Sequence, residues 1–295
     1  MPQIKANHIN LEYELAGDAS KPCVLLIMGL GMQLIAWPPA LVQSLLDAGY
    51  SVLRLDNRDI GLSQKIEAPR RSLIWAAVKH RLGMRVEAPY LLRDMVEDTA
   101  ALLDALHIAK VHVVGASMGG MIAQGLAAHH PDKVLSLTSI MSSSGARKLP
   151  QAKPHVSRAL MTRPKNSNDI RAVVEHGLSV FKLIGSPGFP TDSKVLSARI
   201  EAGIKRAYHP AGVARQLLAI VASGDRSAEL EKITAPTLVL HGADDPLVPL
   251  AHGEDTARKI KGASLKVLPG MGHDLPPGVV DWVGQELLAH VRHAA

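Results

Sequence analysis

Short apolar runs rich in β-branched residues alternate with longer helix-prone stretches along most of the chain. The apolar runs predict strands near residues 9–16, 23–28, 51–56, 111–115, 134–140, 237–241 and 264–268. Helices are predicted near 38–48, 91–107, 118–129, 253–261 and 279–292. Strands and helices of these lengths, taken in turn, imply an α/β fold with a mostly parallel sheet covered on both faces. Between Gly145 and Gly224 the alternation stops. That stretch holds no convincing strand, only helical segments near 155–162, 167–184, 192–208 and 211–222, separated by Pro and Gly. The pattern therefore divides the chain into a core, residues 1–144 and 226–295, and an inserted helical unit, residues 145–225. A second irregular piece, 64–90, contains Pro69, Pro89 and an apolar-basic segment from Ser72 to Arg85, and is a candidate to join that unit.

Composition agrees with a large buried core: the 295 residues are 47% hydrophobic and 20% charged, which argues against disorder. Cys23 is the single cysteine, so no intrachain disulfide can form, and its place at the start of an apolar strand marks it as a small buried hydrophobe. The amino terminus lacks the apolar run of a signal peptide. No stretch reaches the about 18 apolar residues that a membrane span needs. The expectation is a soluble, cytoplasmic protein; whether it forms a homodimer stays open. Charge is unevenly spread: residues 145–225 carry 13 basic and 5 acidic groups, a net +8 against +6 for the whole chain. This excess is either a solvated basic face or a device that steers anionic substrates. Nucleic-acid binding is not expected, since aromatics total 3% and do not interleave with the basic residues.

The richest chemistry lies in Val111-His-Val-Val-Gly115-Ala-Ser117-Met-Gly119-Gly120. A strand running through Gly-x-Ser-x-Gly into a helix has the form of a nucleophile elbow, a tight turn that lifts one serine into a cleft. A serine hydroxyl needs a general base, and that base needs an orienting carboxylate. Downstream, the strand Thr237–Leu240 ends in His241-Gly-Ala-Asp244-Asp245-Pro246, and the strand Ser264–Leu268 ends in Pro269-Gly-Met-Gly-His273. Both loops lie past the carboxyl end of a strand, where open α/β sheets hold their ligands. Of the 14 histidines, His273 alone has the Gly-x-Gly-His setting. His129, His130, His155 and His290 read as polar helix-end residues, and His112 lies within a strand.

Gly115–Gly120, His241–Pro249 and Pro269–His273 resemble the nucleophile, acid and histidine loops of the α/β-hydrolase superfamily, and the likeness runs along nearly the whole chain. Leu26–Gly31, Asp56–Ser63 and Pro269–His273 resemble bacterial carboxylesterases, the aclacinomycin (anthracycline) methylesterase group in particular. The resemblance implies that Asp245, three residues after the glycine of His-Gly, is the triad acid in preference to Asp244. It also implies an oxyanion hole from the N–H groups of Met118 and Leu30. The His-Gly usual in that loop is Met28-Gly29 here, which removes a histidine but no backbone donor. Residues 145–225 fall where such proteins carry a cap or lid, and the Asp56–Asp59 loop is structural.

Leu30, Met32, Trp37, Met118, Met121 and Met141 lie on or beside these loops, and Met32, Trp37 and Met141 are the expected substrate contacts, an apolar and adaptable lining. The expected reaction is hydrolysis of small-molecule carboxylic esters through an acyl-enzyme on Ser117. No metal site is expected, as His-Glu-x-x-His is absent and one cysteine cannot build a thiolate cluster; no cofactor is implied. Two other readings stay open, beside the less favoured carbon–carbon bond hydrolysis of dienones. One is a cofactor-free haloperoxidase or perhydrolase with the same triad, and the other a catalytically idle small-molecule-binding protein.

Overall fold

The computed structural model describes residues 2–69, 71–162 and 164–294. Eight strands form one sheet: β1 (Gln3–Ala6), β2 (Ile9–Ala16), β3 (Cys23–Ile27), β4 (Ser51–Leu55), β5 (Val111–Ala116), β6 (Val134–Ile140), β7 (Thr237–Gly242) and β8 (Ser264–Leu268), in the order β1-β2-β4-β3-β5-β6-β7-β8. From β4 onwards every neighbouring pair is parallel, while β2 is antiparallel to both β1 and β4. β1 lies outside the strands predicted from the pattern. It is short, with Ala6 its one buried residue, so it offers no apolar run to detect. It joins β2 through Asn7 and His8, both at positive φ (46° and 66°), the backbone of a two-residue hairpin.

The parallel strands are apolar on both faces because helices cover both. α3 (Leu92–Ala105) and α4 (Met118–His129) pack on the face that carries Leu25, Ile27, Val111 and Val113. α1 (Pro39–Asp47) and α11 (Pro277–His293) pack on the other, with Val24, Leu26, Val114 and Leu240. Alternate side chains of one strand thus feed two separate cores. Cys23 is buried at the start of β3. α10 (Ala251–Lys259) lies between β7 and β8.

Between β6 and β7 the chain forms α5 (Pro154–Met161), α6 (Ile170–Ile184), α7 (Ser193–Arg206) and α8 (Pro210–Ser223), then the single turn α9 (Ser227–Leu230). The two ends of this insertion meet. A Cβ on Gly145 (φ +76°) would lie 2.2 Å from the carbonyl oxygen of Gly224 (φ +59°), and Arg226 N–H donates to Ser144 O at 2.9 Å. The buried Arg226 guanidinium donates to Met121 O (3.1 Å), Gln124 Oε1 (3.0 Å) and Ser143 O, tying this junction to α4. The 64–90 segment packs on the insertion: α2 (Leu73–Arg81) seats Ala76, with Val86, against Leu218 of α8.

Two arginines of the insertion bind carboxylates of the core. Arg206 Nη1 donates to Asp56 Oδ2 (2.6 Å) and to Gln33 Oε1 (2.7 Å). Arg215 holds Asp59 with two bonds of 2.8 and 2.7 Å. Part of the basic excess therefore attaches the insertion to the Asp56–Asp59 loop and is not free charge. Burial opposes ionisation of Asp59, but Arg215, the Ile66 N–H and the Tyr90 hydroxyl together hold its carboxyl below its ordinary value. A depressed folded-state pKa contributes stability above the unfolded carboxylate value of about 3.9, lost as pH falls through the lower folded value. Arg215→Met is accordingly expected to cost about 3 kcal/mol at pH 7, the penalty for stranding a buried charge. The gap from the unaltered protein should narrow toward about pH 3, as Asp59 takes up a proton in the variant first. Urea unfolding across that range measures it, and a gap independent of pH would show that the pair carries no such energy.

Candidate active site

Ser117 is the single residue between β5 and α4, and it adopts φ 55°, ψ −119°, a region that costs a non-glycine residue about 1–3 kcal/mol. The strain persists because the neighbours leave no other path. A Cβ on Gly115 would stand 2.1 Å from Gly119 O, and one on Gly119 would stand 2.0 Å from Ile27 O. Ser117 N–H donates to Ile140 O (2.9 Å), while its carbonyl accepts from Gly120 N–H (2.9 Å) and from Ser142 Oγ (2.8 Å).

The two loops picked out by sequence converge on this serine. His273 Nε2 lies 3.0 Å from Ser117 Oγ, and His273 Nδ1 lies 2.6 Å from Asp245 Oδ2. With Nδ1–H donated to the carboxylate, Nε2 is left to accept the serine proton. Asp245 Oδ1 accepts from the N–H groups of Leu247 (2.9 Å) and Val248 (2.8 Å), which fixes the carboxylate plane. Asp244 faces elsewhere, accepting from Gly270 N–H at 2.8 Å. His241 sits 3.8 Å from Asp245 but is engaged with Val248 O at 2.7 Å, and burial pushes its pKa below the ordinary imidazole value. His112 is buried in β5 beside Ser136 Oγ (2.8 Å), its pKa pushed down to about 4 by desolvation.

The loop after β3 runs beside the serine, since a Cβ on Gly29 would lie 3.6 Å from Ser117 Oγ. Among the described residues, neither Leu30 nor Met118 donates its N–H to an acceptor outside regular helix and strand pairing. Side chains from two directions hold this loop: Asn57 Nδ2 donates to Met28 O (3.0 Å), and Gly31 N–H donates to Gln216 Oε1 (2.9 Å). The wholly buried Gln216 belongs to α8 and also donates to Arg58 O at 2.9 Å. Two amides thus support the loop that carries Met28 in place of histidine. Of the expected substrate contacts, Met32 is half-buried and Met141 is buried. Trp37 is 0% exposed and lies in the same core cluster as Met141, with residues of α1 and α11. Its ring fills space between sheet and helices that the sequence position, seven residues past Leu30, did not reveal.

Sequence reasoning missed a second connection. His273 N–H donates to Ile184 O at the end of α6 (2.7 Å), and Gly188 N–H donates to Gly270 O (2.9 Å). Ser186 Oγ accepts from Gly272 N–H (2.9 Å) and donates to Asp274 Oδ1 (2.5 Å), which also accepts from Ser186 N–H (2.9 Å). Burial raises the pKa of Asp274 above its ordinary value, in spite of these donors. The only signal in the sequence was an acidic residue directly after His273; nothing marked Ser186.

A family model described as alpha/beta hydrolase fold matches residues 22–276. Rhodomycin D methylesterase DauP of Streptomyces sp. (strain C5) is 27% identical, over 99% of this chain and 98% of its own. The 3-oxoadipate enol-lactonase 2 of Acinetobacter baylyi is 26% identical over 90% and 87%. Among solved structures, the enol-lactonase from Burkholderia xenovorans LB400 superposes with TM-score 0.73 at 24% identity, covering 99% of this chain and 100% of its own. A meta-cleavage product hydrolase from Pseudomonas fluorescens IP01 reaches TM-score 0.78 at 19% identity, over 100% and 98%.

Proposed function

The chain belongs to the alpha/beta hydrolase fold family, and from that premise we propose that it is a serine hydrolase of carboxylic esters working through a Ser117-His273-Asp245 triad. The observation that carries this reading is the continuous relay of 3.0 Å from Ser117 Oγ to His273 Nε2 and 2.6 Å from His273 Nδ1 to Asp245. Ser117 Oγ attacks the ester carbonyl while His273 takes its proton, and Asp245 holds the ring and stabilises the imidazolium. The N–H groups of Met118 and Leu30 receive the oxyanion that forms. His273 then protonates the departing alcohol, and water repeats the sequence on the acyl-enzyme. Residues 145–225 act as a cap over the site, and Met32 and Met141 contribute apolar surface to the substrate. Methyl esters are the first class to try, since full-length relatives are named methylesterases.

A fluorophosphonate probe is expected to label the protein at Ser117, and hydrolysis of short methyl and p-nitrophenyl esters is expected to accompany labelling. Asp245→Asn should cut kcat by about 10²–10⁴-fold, because the ring loses the partner that sets its tautomer. Asp244→Asn should stay within about threefold, as its carboxylate is exposed and accepts from the Gly270 amide. Absence of labelling in folded protein would overturn the esterase reading, and equal losses in the two variants would overturn the choice of acid.

A further inference from the structure

Helix α2 and the turn after it expose five large apolar side chains within eleven residues: Ile74 (71%), Trp75 (67%), Val78 (40%), Leu82 (69%) and Met84 (53%). No other stretch of comparable length among the described residues does so. The helix rests on α8 through Ala76 and the partly buried Leu73, and Ile74, Trp75, Ala77 and Val78 face outward. Contiguous uncovered apolar surface of this kind marks a contact with another body.

The charge around it indicates which body. Between Glu67 and Glu87 the sequence carries five Lys and Arg and no acidic residue. Arg85 is exposed and Lys79 half-buried, and the Arg147 guanidinium lies 3.3 Å from where a Cβ on Gly83 would stand. Arg71 is paired with Glu87 on the flank. We propose that this face docks on an anionic lipid surface, with Trp75 and its apolar neighbours entering the headgroup–acyl boundary and Lys79, Arg85 and Arg147 meeting lipid phosphates. A second copy is the poorer occupant, because a two-fold contact sets the same patch against itself and opposes basic residue to basic residue. Nucleic acid would satisfy the charges but leave the aliphatic side chains uncovered.

The surface also has a route to the site. α2 rests on α8, and α8 presents Val213 and Gln216 to Gly31 in the loop beside Ser117. Docking would thus bring lipid-dissolved apolar esters next to the cap. That last step rests on the esterase reading; the docking does not.

Sedimentation of the full-length protein with vesicles tests it. Binding to phosphatidylcholine vesicles doped with phosphatidylglycerol is expected to be at least about tenfold tighter than to phosphatidylcholine alone. It should blue-shift tryptophan emission, and Trp75→Phe should remove the shift. The exposed double replacement Trp75→Ala, Leu82→Ala should weaken binding about tenfold or more while leaving circular dichroism and hydrolysis of a soluble ester unchanged. Failure of the unaltered protein to bind either vesicle would overturn the proposal. So would binding that salt abolishes but the apolar replacements do not affect, or a dimer that the double replacement dissociates. Because soluble-ester hydrolysis is read separately, loss of the docking idea and loss of the esterase reading remain distinct results.

Discussion

Replacing Ser117 by alanine is expected to lower kcat for ester hydrolysis by at least about 10⁴-fold while leaving the fold intact. The acyl-enzyme route needs an oxygen at this position, and the residual rate would come only from the oxyanion donors and binding. Alanine keeps the Cβ and so the strain of φ 55°, and it loses only the hydroxyl that bonds His273 Nε2. Its unfolding free energy should therefore stay within about 1 kcal/mol of the unaltered protein. Ser117→Gly makes a useful companion. It should be equally inactive yet more stable by about 1 kcal/mol, because glycine adopts a positive φ without penalty. Rates in the two variants above about 1% of the unaltered enzyme would place the nucleophile elsewhere.

Gly119→Ala is expected to cost more than about 4 kcal/mol and to yield little soluble protein. The added methyl would sit 2.0 Å from Ile27 O and 2.8 Å from Met28 O. Both are backbone atoms of the sheet and its following loop, so no rotamer change relieves the contact. Helix α4 would have to lift away from β3, carrying Ser117 and the Met118 N–H with it. The same substitution at Gly203, inside α7, has only the end of the Gln33 side chain 3.7 Å away. There the helix-propensity term should prevail, for a gain of up to about 0.5–1 kcal/mol. Chemical denaturation of the pair reads both signs. A mild Gly119→Ala phenotype would mean that helix and strand separate more easily than their spacing implies.

The glycines on either side of Ser117 also show why parts of the molecule were legible beforehand. Gly115, Ser117 and Gly119 act within five residues, and β7 and β8 end at Gly242 and Leu268, just ahead of the loops that carry Asp245 and His273. Local pattern was enough to bring the three side chains together. It was not enough for contacts between distant segments: Arg215 meets Asp59 across 156 positions and Ser186 meets Asp274 across 88. Each such pair involves residue types that are ordinary on a surface, so only the folded chain shows that they are partners. Trp37 shows another limit, since its place near the loop after β3 gave no sign that its side chain is wholly buried in the core. β1 and α2 escaped because each buries one alanine, Ala6 and Ala76, and so leaves no periodic apolar trace.

The bonds between the Ile184–Gly188 turn and the histidine loop bear on how such proteins diversify. Exchanging the insertion for that of a relative is an obvious way to change what the site accepts. Here the segment exchanged would include Ile184 and Ser186, which hold the backbone of His273 and Gly272. A chimera cut at Gly145 and Gly224 would bring in foreign helices and at the same time release His273 from its mooring on Ile184. A graft that retains the native turn from Ile184 to Gly188 separates those two effects. The boundary for recombination therefore runs through the inserted segment itself, along the end of α6, and not at the glycines where its two ends meet.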